Sequence, residues 1–250
     1  MKTVLVTGCS SGFGLETARH FLDRDWQVVA TMRTPRDDVL PPSPGLRVLQ
    51  LDVTDATSIR DAIRSAGPID VLVNNAGFGA PAPLELTSMD TVRDLFETNT
   101  FGTIAVTQAV LPQMRQRRSG VIVNVTSSVT LKPLPLVGVY RAAKAAVNAL
   151  TESLVEEVRP FGVRVHIVLP GSSAETNFRA TARTRLHGME DEIYGAFMQR
   201  TIARMQASTG LGTRPKDVAE AVWRAATDPA TPLRMPAGAD AEQWAHEARR

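Results

Sequence analysis

Six short runs of β-branched and aliphatic residues punctuate the chain: Thr3 to Thr7, Gln27 to Thr31, Leu46 to Leu51, Val71 to Asn74, Val121 to Thr126 and Val163 to Leu169. Most are apolar at nearly every position rather than alternating, which is the pattern of strands buried on both faces. Helical spacing fills the gaps. Leu15, Ala18, Arg19 and Leu22 share one segment, and Ile59, Ala62 and Ile63 share another. Thr87-Ser88-Met89-Asp90 has capping-box form and predicts a helix from Thr87 to about Arg118. From Gly138 to Arg159, Val139, Ala143, Val147, Leu150, Leu154 and Val158 recur every three or four residues, until Pro160 and Gly162 stop the pattern. Pro215 to Thr227 is helical again, and Pro232 to Gly238 predicts a last short strand. Strand and helix alternate at least five times. This predicts an α/β chain: a single doubly wound domain over residues 1–250, with a mostly parallel sheet and helices on both faces.

Composition narrows what such a domain does. The chain carries 28 Lys and Arg against 26 Asp and Glu. Signs this nearly balanced argue against a nucleic-acid footprint, and aromatics at only 5% argue against base-stacking platforms. No stretch approaches the length of a membrane span. Met1 to Thr7 ends at Gly8, too short for a signal-peptide core, so the expected location is cytoplasmic. The one cysteine, Cys9, forms no intrachain disulfide, and the four histidines (His20, His166, His187, His246) are scattered, so no metal site is expected. The proline-rich Thr34 to Gly45 reads as a loop, because the strand pattern resumes at once.

The first strand opens into Thr7-Gly8-Cys9-Ser10-Ser11-Gly12-Phe13-Gly14, followed by a helical pattern. Glycines let the backbone approach phosphates closely, and the helix N-terminus supplies free N–H groups and partial positive charge. The placement predicts a pyrophosphate site in a Rossmann domain, although the spacing is Gly-x-x-x-Gly-x-Gly. The same residues also satisfy Gly-x-Ser-x-Gly, the nucleophile elbow of hydrolases, with Ser10 as nucleophile. That elbow follows several strands and an oxyanion loop, for which the six residues before Thr7-Gly8 leave no room. Farther on, Tyr140 and Lys144 are four apart in a predicted helix and so share a face. A cation beside a phenol favours phenolate and moves it toward the working range of an acid/base catalyst.

Thr7-Gly8-x3-Gly12-x-Gly14, Asn74-Asn75-Ala76-Gly77, Asn99, Ser127, Tyr140-x3-Lys144 and Pro170-Gly171 together resemble the short-chain dehydrogenase/reductase family in order and spacing, over about residues 1–235. Within that family, Thr7 to Gly12 and Ala30-Thr31-Met32-Arg33 resemble enzymes of hydroxysteroid, retinol and similar ketone or alcohol substrates. The resemblance implies that Tyr140 exchanges a proton with the substrate oxygen, Lys144 lowers its pKa and holds the nicotinamide ribose, and Asn99 supports a water-linked relay. It also implies a serine donating to the substrate oxygen: Ser127 by ungapped spacing, with Ser128 as the alternative. Gly8, Ser10, Ser11, Gly12, Phe13, Gly14, Arg33, Asp52, Val53, Asn75, Ala76, Gly77, Tyr140, Lys144, Pro170 and Gly171 are the expected cofactor contacts. Asp52 or Thr54 is otherwise read as a cap of the next helix.

After the second strand, where NAD-specific chains place an acid, this chain has Thr31-Met32-Arg33-Thr34. Arg33 offers a guanidinium suited to a 2′-phosphate, and the resemblance implies Ser11 as the second contact. The expected cofactor is therefore NADP(H) rather than NAD(H). Thr176 lies one residue late against the family's nicotinamide-contacting threonine. Residues 174–213 are expected to cover the substrate, a small carbonyl or alcohol compound. Ala142, Ala145, Ala146 and Ala149 fit the family's pairing helix, implying a homodimer or homotetramer. A reading from another class, an NADP(H)-binding sensor or scaffold without turnover, shares the fold.

Overall fold

The computed structural model describes residues 1–36, 38–207 and 212–248. Among them, seven strands form one wholly parallel sheet: β1 Thr3–Thr7, β2 Gln27–Met32, β3 Leu46–Gln50, β4 Val71–Asn74, β5 Gly120–Val125, β6 Val163–Pro170 and β7 Arg234–Ala237. Their order is β3-β2-β1-β4-β5-β6-β7. The chain winds outward from β1 to β3, then crosses back to place β4 on the other side of β1. That reversal leaves a crevice at the C-terminal ends of β1 and β4, where ligands of such sheets bind.

Helices α1 (Gly12–Leu22), α2 (Ala56–Ala66), α4 (Gly102–Arg117), α5 (Gly138–Val158) and α8 (Pro215–Thr227) cover the two faces. On one face Val4, Val6, Val28 and Val123 meet Ala18 and Phe21 of α1 and Val222 and Ala225 of α8. Phe21, Trp26 and Trp223 stack edge to face there, with centroids 5.0 to 5.7 Å apart. On the other, Leu5, Val29, Leu72 and Ile122 meet Ile59 of α2, Val106 and Met114 of α4, and Leu154 of α5. Both faces of the sheet are covered at β1, β2, β4, β5 and β6, which is why these strands are mostly apolar runs, whereas the edge strands β3 and β7 carry exposed polar positions.

The single helix expected from Thr87 is in fact interrupted. Helix α3 (Met89–Phe96) passes into a π-helical turn, Glu97–Phe101, before α4 begins. Its cap is Ser88, whose hydroxyl accepts from the Thr91 N–H at 3.1 Å, whereas the Thr87 hydroxyl donates to the Pro83 carbonyl. Helices α6 (Phe178–Arg183) and α7 (Gly195–Ala207) lie in the loosely patterned stretch, and α9 (Ala239–Glu247) follows β7. None of the described helices is long and apolar enough to cross a membrane.

Candidate active site

A cleft of about 2490 Å³ runs along the C-terminal ends of β1, β2, β4, β5 and β6. Every expected site residue lines it except Gly14 and Asn99, which sit behind its wall. Gly8, at φ +75°, turns the chain out of β1 so closely that a Cβ would stand 2.9 Å from Ala76. Gly14 is needed for packing, because a Cβ there would overlap the Asn75 amide and the Gly8 carbonyl. Asn75 braces the turn: its Nδ2 donates to the carbonyls of Thr7 at 2.9 Å and Gly8 at 3.3 Å. The Thr7 hydroxyl accepts from the N–H groups of Asn75 and Ala76.

The turn ends at Ser11, an extended residue before α1 whose side chain caps nothing. No side chain of Ser11 therefore competes for the first N–H groups of α1, the arrangement an anionic phosphate requires. Arg33 is exposed at the end of β2 and lines the cleft. A second guanidinium went unread in the sequence: Arg36 donates to the Ser10 carbonyl at 3.0 Å, bringing its charge to the turn. Asp52 is tied to its own loop, its carboxylate accepting from the N–H and hydroxyl of Thr54. It does not cap α2; Asp55 does, accepting from Thr57 and Ser58. Taken together, the glycine turn, the uncapped N-terminus of α1 and the two arginines fit a phosphorylated dinucleotide.

Across the cleft, Tyr140 and Lys144 lie in the first two turns of α5 and are buried. The Lys144 ammonium donates to the Val125 carbonyl at 3.1 Å. It faces the Gly77 backbone together with the Asn99 side chain. Asn99 lies inside the π turn and is fully buried, with Oδ1 accepting from the Phe78 N–H (3.1 Å) and Nδ2 donating to the Phe78 carbonyl (3.0 Å). These two bonds pull the helix toward the loop after β4 and account for the local widening. Ser127 hydrogen-bonds the Tyr140 phenol, and its Oγ also accepts from the Val129 N–H at 3.3 Å.

Burial dominates the electrostatics. It raises the Tyr140 phenol to about 12, opposed by the Ser127 bond. It also lowers the Lys144 ammonium to about 8. The expected fall of the tyrosine pKa under the lysine charge is therefore not the resting condition of this chain: the phenol is protonated at neutral pH. Cys9, fully buried, is likewise pushed up to about 12 and is inert. The hydrolase reading of Ser10 has no base in the buried histidines, since His20 faces Glu220 and His166 faces the Pro232 carbonyl.

The segment after β6 closes the cleft. Phe178 lies with its ring centroid 5.6 Å from that of Tyr140. Thr176 packs beside Gly12, on the phosphate side rather than beside Tyr140. Phe78, Ala80, Leu95, Val129 and Val139 pack about Tyr140, and the cleft lining adds Leu134, Leu136, Leu186, Met189 and Phe197, with the Arg185 guanidinium 4.2 Å from the Phe78 ring centroid.

The sequence profile of the short chain dehydrogenase family matches residues 2–187. A 3-ketodihydrosphingosine reductase of Bacteroides thetaiotaomicron is 33% identical over 242 residues, covering 95% of this chain and 88% of its own. Human retinol dehydrogenase 8 is 34% identical over 250 residues, covering 93% of this chain and 80% of its own. A serine dehydrogenase solved in closed form with NADP+ superposes with a TM-score of 0.81 at 29% identity, covering 95% of each chain. A glycine turn, a buried tyrosine–serine–lysine group and an all-parallel sheet thus coincide with family relationship along nearly the whole length, and the chain belongs to the short-chain dehydrogenase family of oxidoreductases.

Proposed function

We propose that this protein is an NADP(H)-dependent oxidoreductase interconverting a ketone and a secondary alcohol on an apolar skeleton, with Tyr140 as the acid/base. The observation that carries the reading is the meeting of a buried, serine-bonded phenol with an arginine-bordered glycine turn in one cleft. Gly8, Ser10, Ser11, Gly12 and Phe13 would hold the pyrophosphate; Arg33 and Ser11 the 2′-phosphate, with Arg36 adding charge; Asp52, Val53, Asn75, Ala76 and Gly77 the adenosine side. Tyr140, Lys144, Pro170 and Gly171 would hold the nicotinamide side. When bound, the dinucleotide supplies or accepts a hydride.

In the reductive direction the Tyr140 hydroxyl donates its proton to the substrate oxygen, and Ser127 hydrogen-bonds the same oxygen as negative charge develops. The Lys144 ammonium, one helical turn along, stabilises the phenolate left behind. Asn99 holds the π turn open, and a water there would return the proton. The resting phenol near 12 carries the proton that reduction consumes, whereas alcohol oxidation requires that proton to be removed first. The apolar residues of the wall, with Phe178 tilted against Tyr140, favour large apolar substrates. Retinol and 3-ketodihydrosphingosine, named for two relatives, are such compounds. Residues 174–207 and 212–213 serve as the substrate-covering part of a single domain, the rest of the expected 174–213 segment and of the 1–250 span (37, 208–211, 249–250) lying outside the described residues. Exposed Phe101 and the exposed Ala142, Ala145 and Ala149 of α5 support a homodimer or homotetramer, working in the cytoplasm.

The test is oxidation of NADPH and of NADH, followed at the nicotinamide absorbance, against a panel of long-chain, cyclic and short polar ketones. Turnover of apolar ketones with NADPH preferred is expected. Preference for NADH would overturn the cofactor assignment. Tight NADPH binding with no turnover of any ketone or alcohol would instead favour a cofactor-binding sensor.

A further inference from the structure

Asp240 belongs to no motif and was silent in the sequence, yet it is the buried carboxylate of the cleft wall, only 7% exposed. It lies in the first turn of α9, and no ion pair to it is recorded among the described residues. Its Oδ2 accepts from the Ser172 N–H at 2.7 Å, and its Oδ1 accepts from the Thr213 hydroxyl at 2.6 Å. The Thr213 oxygen in turn accepts from the Gly171 N–H at 3.0 Å, and the Thr213 N–H donates to the Ser172 carbonyl at 3.0 Å.

The carboxylate also presses on the Gly171 backbone, where a Cβ would overlap both of its oxygens. Gly238, before α9, is similarly confined, since a Cβ there would overlap the Thr213 hydroxyl. Three distant segments thus converge on one anion: the loop after β6, the end of the substrate-covering segment, and α9. The N–H groups of Gly171 and Ser172 are consumed within this cluster, so the loop would act on a cofactor through its shape and not by donating those hydrogens.

We infer that Asp240 is a positioning residue: it fixes the Pro170–Gly171–Ser172 wall against which the nicotinamide half of the cofactor rests. It also pins Ser172 and Thr213, which bracket the substrate-covering segment. This rests on the NADP(H) reading above. Its consequence is selective. The phosphate and adenosine contacts follow β1, β2, β3 and β4, whereas α9 follows β7 at the far edge of the sheet, so loss of Asp240 loosens chiefly the nicotinamide end.

The experiment compares affinities for NADPH and for 2′-phospho-ADP-ribose, which lacks the nicotinamide, in the wild type, Asp240→Ala and Asp240→Asn. The wild type binds NADPH more tightly than the truncated compound. Asp240→Ala should lose about tenfold for NADPH, the scale of one charge-assisted hydrogen bond, while affinity for the truncated compound stays within about twofold. In Asp240→Asn the amide oxygen still accepts from Ser172, so most of the NADPH affinity returns. Equal losses for both compounds would reduce Asp240 to a general fold pin and overturn the proposal, as would an unchanged NADPH advantage in Asp240→Ala. If the wild type itself binds neither compound, the cofactor reading fails and this role fails with it. Should Asp240→Ala not fold, Thr213→Val carries the comparison: a loss confined to NADPH supports the role, and an equal loss for both compounds or no loss for either overturns it.

Discussion

Lys144→Met should make the protein more stable while abolishing its chemistry. Lys144 is 4% exposed, and burial moves its ammonium from 10.5 to about 8. A shift of roughly 2.5 units at about 1.36 kcal/mol per unit is a cost of about 3 kcal/mol for holding the charge inside at neutral pH. Methionine fills a similar volume without that charge. The lost bond to the Val125 carbonyl returns about 1 kcal/mol, leaving a net gain of about 2 kcal/mol. The sign follows from proton counting. The unfolded chain binds more protons at this lysine than the folded one between about pH 8 and 10.5, so the wild type gains stability as pH rises through that window. Below about pH 8 the cost is fully present, and by pH 10 less than about 1 kcal/mol of it is left. Urea unfolding at pH 7 and pH 10 reads this directly: the variant leads at pH 7, and the lead vanishes at pH 10. A variant no more stable at pH 7, or a lead that does not change with pH, would refute the claim that Lys144 is held against a desolvation penalty.

Three further outcomes are expected. Ketone reduction should fall as pH rises through about 8, where Lys144 loses its charge, while alcohol oxidation should climb with pH because its phenol near 12 must first lose a proton; initial rates from pH 6 to 10 in both directions check this. Arg33→Ala should lower kcat/KM for NADPH by roughly 10- to 100-fold and leave NADH unaffected, the scale of one bond to a charged phosphate, measured by steady-state kinetics. Asn75→Ala, which frees the Thr7 and Gly8 carbonyls, should cost about 1–3 kcal/mol in urea unfolding and weaken NADPH binding in fluorescence titration.

The inner strands were legible because both of their faces are covered, so burial wrote itself as nearly continuous apolar runs. All seven fall at or within two residues of the expected spans. The parallel sheet follows from the alternation, but the order β3-β2-β1-β4 that opens the crevice does not, because other doubly wound orders alternate in the same way. The π turn was not legible, because its cause is tertiary: Asn99 bonds Phe78, 21 residues earlier, and nothing in Met89 to Arg117 reveals it. Spacing placed Tyr140 and Lys144 on one helix, but the balance between their mutual charge and their burial depends on the surrounding packing. Asp240 was invisible for a related reason. An acid in the first turn of a short helix is commonplace, and its meaning comes from Gly171, Ser172 and Thr213 folding onto it. Arg36 was hidden in a proline-rich loop.

The central claim is that the Tyr140 phenol transfers the proton in a cleft whose many other contacts suffice to hold NADPH. The direct measurement is Tyr140→Phe, assayed in parallel for NADPH affinity by fluorescence and for ketone reduction at neutral pH. The predicted result is cofactor affinity within about threefold of wild type and reduction slowed by at least about 100-fold, the contribution of a positioned proton donor. Reduction at the wild-type rate by the phenylalanine variant would contradict it.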